Sequence, residues 1–404
     1  MLTKAAYRFA ISLVALACAP LCVVDCHALA ETKPAKPSTN ITSVGGDRSA
    51  ELDHAFQRLR EEHRLNTIGV GVIKDAKLVW SGYYGDQSSG VPASATTQFN
   101  LASITKVVTT ETLLHLVSQG LVSLDEPMAE HWVDEDISQH PHTASLTPRM
   151  AVTHSTGFPN WRYLDDEKGG GFDPSLPLRF LFEPGTSYSY SGEGYQYLAK
   201  FIQAKTQTDF EDLVVQSVFT PRGMTGAAWS RREANLANIA TTYDRNGHPT
   251  GAYCRPGGIA CAQEGDWSAA GSMHATVPDF ARFLEGVMMA EGYPKALARL
   301  RNTVHVTQEN KPHTQWFDCA DPSVNECPNQ QGYGLGWRVA DFGDFQLVGH
   351  DGSDHSSVSL TYFYSDTNDG IIIFLNAPNV FASAALPEAI RLLHPDSPIA
   401  QYYE

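Results

Sequence analysis

Apolar and polar positions alternate in three regimes along this chain. In residues 50–64, Leu52, Phe56 and Leu59 recur at helical spacing and predict an amphipathic helix. Thr67–Lys74 (TIGVGVIK) and residues 77–83 (KLVWSGY) predict a strand pair joined by a short Asp-Ala turn. Residues 102–294 carry a mainly helical pattern broken by Gly- and Pro-rich loops. Beyond Gln331 strands return, at 336–340, 345–349, 358–364 and Gly370–Asn376, and residues 386–393 predict a closing helix. Strands at both ends of a helical middle predict an α+β fold: one antiparallel sheet built from both termini, flanked by helices, with a mainly helical subdomain inserted. That arrangement leaves a cleft between sheet and helices, where ligands usually bind.

The N-terminus departs from these patterns. Lys4 and Arg8 precede an apolar run from Phe9, and Ala28-Leu29-Ala30 offers a small-x-small cleavage site, so residues 1–30 read as a secretory signal peptide. Pro20 and Asp25 interrupt a run already short for a bilayer, which disfavours a retained span. Cys18, after Ala15-Leu16-Ala17, makes lipoprotein attachment a minority alternative to a periplasmic or secreted product. Residues 31–49, polar and containing Pro34 and Pro37, read as a linker. Residues 50–395 then form the folded domain and 396–404 a tail.

Composition narrows the function. The chain has 404 residues, 42% of them hydrophobic, enough for a sizeable core. A net charge of −16 argues against a nucleic-acid partner and against electrostatic docking on an anionic membrane. Cys254, Cys261, Cys319 and Cys327 would remain after signal removal. Three pairings are possible, and Cys254–Cys261 with Cys319–Cys327 is the simplest. No C-x-x-C or H-E-x-x-H is present, and His350 with His355 alone does not make a metal site.

Three stretches carry chemistry. In LASITK, Ser103 and Lys106 are spaced to share a helix face, in the only S-x-x-K of the chain. The lysine can take the hydroxyl proton if its neighbours lower its pKa; otherwise the serine is an ordinary helix cap. In FEPGTSYSYSGEGY, Tyr190 precedes a helical stretch. A nearby cation would favour its phenolate and let it relay a proton, although with 16 tyrosines a core role is the plainer reading. In GHDGS, a glycine lets backbone approach a ligand, and the Ser353 N–H can pair with that of Ser103 as an oxyanion hole; Asp-Gly is equally a hairpin signal.

The order of these pieces resembles the serine β-lactamase and penicillin-binding-protein-like superfamily, above all its class C β-lactamase and esterase branch. LVSLDEPMAEHW from Leu121, MAVTHSTGFPNW from Met150, AAGSMHATVPDFARFL from Ala269 and YGLGW from Tyr333 extend the likeness over about residues 50–393. The resemblance implies Ser103 as nucleophile, Lys106 as its proton acceptor, and Tyr190 acting with Lys106. It implies His350, Gly352 and Ser353 at the substrate and oxyanion side, with no cofactor or metal. His154 and Gly157 match a loop motif of structural role. Two departures stand out. The family's Tyr-x-Asn reads Tyr190-Ser191-Gly192, and its Lys-Thr-Gly reads His350-Asp351-Gly352. With the lysine gone, Asp351 and Asp354 would add negative charge if they face the cleft. The expectation is an exported serine hydrolase using a Ser103 acyl-enzyme on a small-molecule or peptide ester or amide, with no nucleic-acid partner and no stable membrane span after signal cleavage. The alternatives are a DD-peptidase or weak β-lactamase, an acyltransferase, or a non-catalytic binding protein on the same fold.

Overall fold

The computed structural model describes residues 41, 47–165, 171–244, 246–250, 263–307, 315–321, 324 and 327–404. The signal segment, most of the linker, Cys254 and Cys261 lie outside the described residues. The fold is α+β, as the pattern predicts. Helix α1 (Asp47–Glu62) leads into strands β1 (Thr67–Lys74), β2 (Lys77–Ser88) and β3 (Val91–Pro92). The late strands are β4 (Val306–Thr307), β5 (Gln330–Tyr333), β6 (Arg338–Asp341), β7 (Gln346–Asp354), β8 (Ser357–Tyr364) and β9 (Gly370–Asn376). They form one nine-stranded sheet in the order β3-β2-β1-β9-β8-β7-β6-β5-β4, antiparallel throughout. The two ends of the chain meet at the β1–β9 pair, with Thr67 opposite Asn376.

The strand period sorts β1 between two cores. Ile68, Val70 and Val72 face α1 and the closing helix, packing with Leu52, Phe56, Leu386 and Ile390. Gly69 and Gly71 face the other way. A Cβ at Gly69 would meet the Phe99 ring at 2.6 Å, and one at Gly71 would meet Val277 at 3.0 Å, so the glycines let the helical side press against the sheet. That side contains α2 (Thr105–Ser118), α3 (Gly192–Thr206) and α4 (Val277–Met289), joined by short helices and loops. The Asp-Ala turn between β1 and β2 has positive φ at both Asp75 and Ala76, the geometry of a tight hairpin.

Several boundaries differ from the expected ones. Helix α1 starts before residue 50, and Ile41, inside the expected linker, is buried in the α1 core, so the linker is anchored by an apolar residue that its polar neighbours obscure. The closing helix, α5, spans Asn379–Leu393; Pro387 sits inside it and masks its first turns in the sequence. The expected tail carries a short 3-10 helix, Ala400–Tyr403, with Ile399 and Ala400 buried. GHDGS is not a hairpin turn but continuous strand in β7. No helix among the described residues is long and apolar enough to cross a membrane.

Candidate active site

The site is assembled where the β7 edge meets the start of α2. Ser103 lies in a 3-10 turn, Ala102–Ile104, which runs directly into α2. Ala102 has φ +45°, a left-handed conformation that costs a non-glycine residue free energy and needs support. That support comes from four contacts. Asn100 Oδ1 accepts from the Ala102 N–H at 2.9 Å, and Asn100 Nδ2 donates to Asp354 at 3.1 Å. The Leu101 N–H donates to Met273 O at 3.0 Å, and Ser359 Oγ donates to Leu101 O at 2.8 Å. The Ser103 turn is thus pinned to β7, β8 and the segment before α4.

Lys106, one turn on, is 1% exposed. Its Nζ lies 3.1 Å from Ser103 Oγ and 2.9 Å from Ala270 O. Burial lowers its pKa to about 7, with Asp351 opposing the shift, so the free amine is accessible beside the serine near neutral pH. The sequence asked for a lysine depressed by its neighbours, and desolvation supplies that.

Tyr190 hydrogen-bonds Ser103 through its side chain, and the Lys106 ammonium lies 4.8 Å from the centre of its ring. Its pKa moves opposite to expectation. Burial raises the phenol well above its ordinary value, and Asp351, Tyr188 and Tyr195 add to the rise against the Ser103 bond. The cation lies over the ring, and burial keeps Tyr190 a neutral phenol. It can hand a proton over and take one back, but it is not a resting phenolate. His154 packs beneath it, ring centres 4.3 Å apart, and accepts the Ser191 N–H at 2.9 Å through Nδ1. Gly157 has φ +80°, and a Cβ there would strike Phe182 O at 2.3 Å, in keeping with a structural loop.

On the sheet side, β6 begins opposite Gly349, and among the described residues no strand pairs with the β7 edge away from β8 from His350 to Asp354. Gly352 is where that strand touches the Ser103 turn: a Cβ there would lie 2.3 Å from Leu101 O and 3.0 Å from Ser103 N. Ser353 follows, its Oγ receiving Asn379 Nδ2 at 2.7 Å, which ties the side chain to α5. His350 is 1% exposed, and its pKa is lowered to about 4, mainly by burial with help from Lys106 and Arg338. It is neutral at pH 7. Its Nδ1 faces Asp351 O and must carry the proton, which leaves Nε2 to accept from the Tyr333 hydroxyl at 3.1 Å.

Two residues outside the expected set change the electrostatics and the shape. Arg338, on β6, pairs with Asp351 at 3.3 Å and donates to the Tyr402 hydroxyl at 3.1 Å. Asp351 is therefore charge-compensated and does not add the unopposed negative charge expected at the cleft, whereas Asp354 accepts only from the neutral Asn100 amide and keeps its charge. Trp161 occupies the space beside Gly192: a Cβ at 192 would lie 2.7 Å from two of its ring carbons. Arg338 directly follows the YGLGW stretch, a position at which a cation can be noticed in sequence. Trp161 closes the MAVTHSTGFPNW stretch, which marks the family likeness but not this contact with Gly192. Among the described residues no cluster of three or more His, Cys, Asp or Glu side chains is placed to hold a metal.

A Ser-x-x-Lys pair at the mouth of a buried helix, facing a tyrosine and the open edge of an antiparallel sheet, places the protein in the serine β-lactamase and penicillin-binding-protein superfamily. The chain belongs to the β-lactamase family, whose profile matches residues 52–394. It is 32% identical over 190 residues to a D-aminopeptidase of Gluconobacter oxydans, covering 44% of this chain and 35% of that protein. It is 22% identical to penicillin-binding protein 4 of Amycolatopsis lactamdurans, covering 87% of this chain and 98% of that one. The fold is shared with a D-alanine carboxypeptidase AmpC from Burkholderia cenocepacia, with a TM-score of 0.62 at 20% identity over 86% of this chain and 99% of that chain. Against the D-aminopeptidase and the Staphylococcus aureus protein flp, the matched part spans only 35% and 64% of the relative's length.

Proposed function

We propose that the protein is a serine hydrolase that cleaves an amide or ester through an acyl-enzyme on Ser103. The observation that carries this reading is the buried Lys106 amine, 3.1 Å from Ser103 Oγ, with its pKa lowered toward neutrality by that burial. Lys106 takes the hydroxyl proton as Ser103 Oγ adds to the substrate carbonyl. The backbone N–H groups of Ser103 and Ser353 hold the oxyanion. Collapse of the adduct breaks the bond to the leaving group, which departs with a proton passed from Lys106 through the Tyr190 phenol. Water then adds to the acyl-enzyme, gives its proton back through the same pair, and Ser103 leaves as the hydroxyl. A phenol of raised pKa suits this relay, because it returns to the neutral form after each transfer.

An amide or peptide substrate is favoured by the D-aminopeptidase and carboxypeptidase relatives. The open β7 edge can take an extended chain as an added strand. The Arg338–Asp351 pair stands at the His350 end, where the family lysine is absent. Export is supported by the N-terminal pattern and by the Cys319–Cys327 disulfide.

Intact mass after incubation with a fluorophosphonate, a penicillin and a short-chain nitrophenyl ester tests the assignment. Wild type is expected to gain an adduct that Ser103→Ala does not. An adduct or near-wild-type turnover in folded Ser103→Ala overturns it.

A further inference from the structure

Gly192 lies two residues after Tyr190 and opens helix α3, so whatever fills the space above it borders the reacting centre. That space is taken by the indole of Trp161. Three ring carbons lie within 3.0 Å of where a Cβ at 192 would be, so no side chain can share the position without displacing the ring. Tyr163 stacks parallel to the indole, with centroids 5.9 Å apart and planes 6° apart. Trp161 as a whole is partly buried, neither sealed in the core nor fully exposed.

The shelf is held rigidly. Ser191 Oγ donates to Pro159 O, and the N–H groups of Gly192 and Glu193 donate to Asn160 O. The next residue, Arg162, pairs with Asp134, Asp136 and Glu193, and Arg179 donates to the carbonyls of Arg162 and Leu164. Trp161 thus packs on the core while part of the residue stays exposed, on a backbone fixed on both sides and against the glycine two residues after Tyr190.

We propose that Trp161, backed by Tyr163, is the specificity-determining wall of the acyl pocket, and that it selects acyl donors carrying a flat aromatic group over small aliphatic ones. This rests on the Ser103 acyl-enzyme reading and adds the substrate class to it.

The test compares phenylacetyl and acetyl p-nitrophenyl esters. Wild type is expected to favour the phenylacetyl ester in kcat/KM by about tenfold. Trp161→Ala is expected to lower that ratio at least about fivefold, and Trp161→Phe to restore most of it. A second measurement needs no turnover: phenylacetamide is expected to bind Ser103→Ala more tightly than acetamide, and to lose that advantage in Ser103→Ala/Trp161→Ala. An unchanged ester ratio and unchanged relative binding in folded Trp161→Ala variants overturn the proposal. Absence of any ester or amide turnover in wild type instead overturns the hydrolase reading, while the binding comparison still decides the role of Trp161.

Discussion

Arg338 Nη2 lies 3.3 Å from Asp351 Oδ1, joining strand β6 to the β7 edge that borders Ser103. The pair compensates the aspartate and supplies a cation near the place where the family lysine is absent. Asp351 also raises the pKa of Lys106. Asp351→Asn therefore has two expected effects. It frees Arg338 to attract a carboxylate, so kcat/KM for a peptide with a free C-terminus should rise relative to its C-terminal amide by about fivefold, for an interaction of about 1 kcal/mol. It also moves the acid limb of the pH profile to lower pH, because Lys106 loses the charge that favours its protonated form. If neither the ratio nor the limb moves, Asp351 is not coupled to the site.

The pH dependence of activity follows from Lys106 itself. In the proposed mechanism only the free amine accepts the serine proton, and its pKa is about 7. Below that value log kcat/KM should fall with unit slope, and above it level off. His350, titrating near 4, should leave this limb undisturbed. A limb centred near 4 would move the essential base from Lys106 to a carboxylate or to His350.

Burying Lys106 also costs stability. Its pKa is lower in the folded chain than in the unfolded one, so between about 7 and 10.5 the unfolded state binds the extra proton and stability rises with pH. Below about 7 both states are protonated and the penalty is greatest. Lys106→Met should therefore raise the Tm more at pH 6 than at pH 9, by the equivalent of up to about 3 kcal/mol, while abolishing turnover. An equal gain at both pH values would show that Lys106 is not desolvated in solution.

Cys319 and Cys327 form a disulfide across a short loop in the segment before β5. Closing a loop of that size contributes about 2–3 kcal/mol in the chain-entropy view. Protein made in an oxidising compartment should leave both cysteines unreactive to iodoacetamide until reduction, and Cys319→Ser/Cys327→Ser should lower the Tm by several degrees. Two free thiols in such protein would contradict the bridge.

The C-terminal residues brace the Arg338 side of the site. Tyr402 receives a hydrogen bond from Arg338, Tyr403 one from Trp316 Nε1, and Ile399 is buried. Ending the chain at His394 should lower the Tm and raise KM, as Arg338 loses its cover. A truncated protein with unchanged Tm and kinetics would reduce the segment to decoration.

How much of this was legible in sequence depends on how local each feature is. The pattern of TIGVGVIK marks β1, since its β-branched residues alternating with glycine need only neighbours along the strand. Ser103 and Lys106 could be paired because one helical turn fixes their spacing. The order of Ser-x-x-Lys, Tyr190 and His350-Asp351-Gly352 was enough to indicate the family. Helix α5 was read short because Pro387 is a helix breaker by propensity, and packing against the sheet overrides it. The rest needed the tertiary structure. Whether Tyr190 is a phenol or a phenolate depends on how deeply other segments bury it and on where the ammonium stands relative to its ring. Asp351 reads as a repulsive charge until β6 brings Arg338 alongside, and Gly192 reads as a simple loss until Trp161 is seen filling its space. Each of these is a contact between residues far apart in the chain, where desolvation and proximity set the chemistry and no local spacing records them.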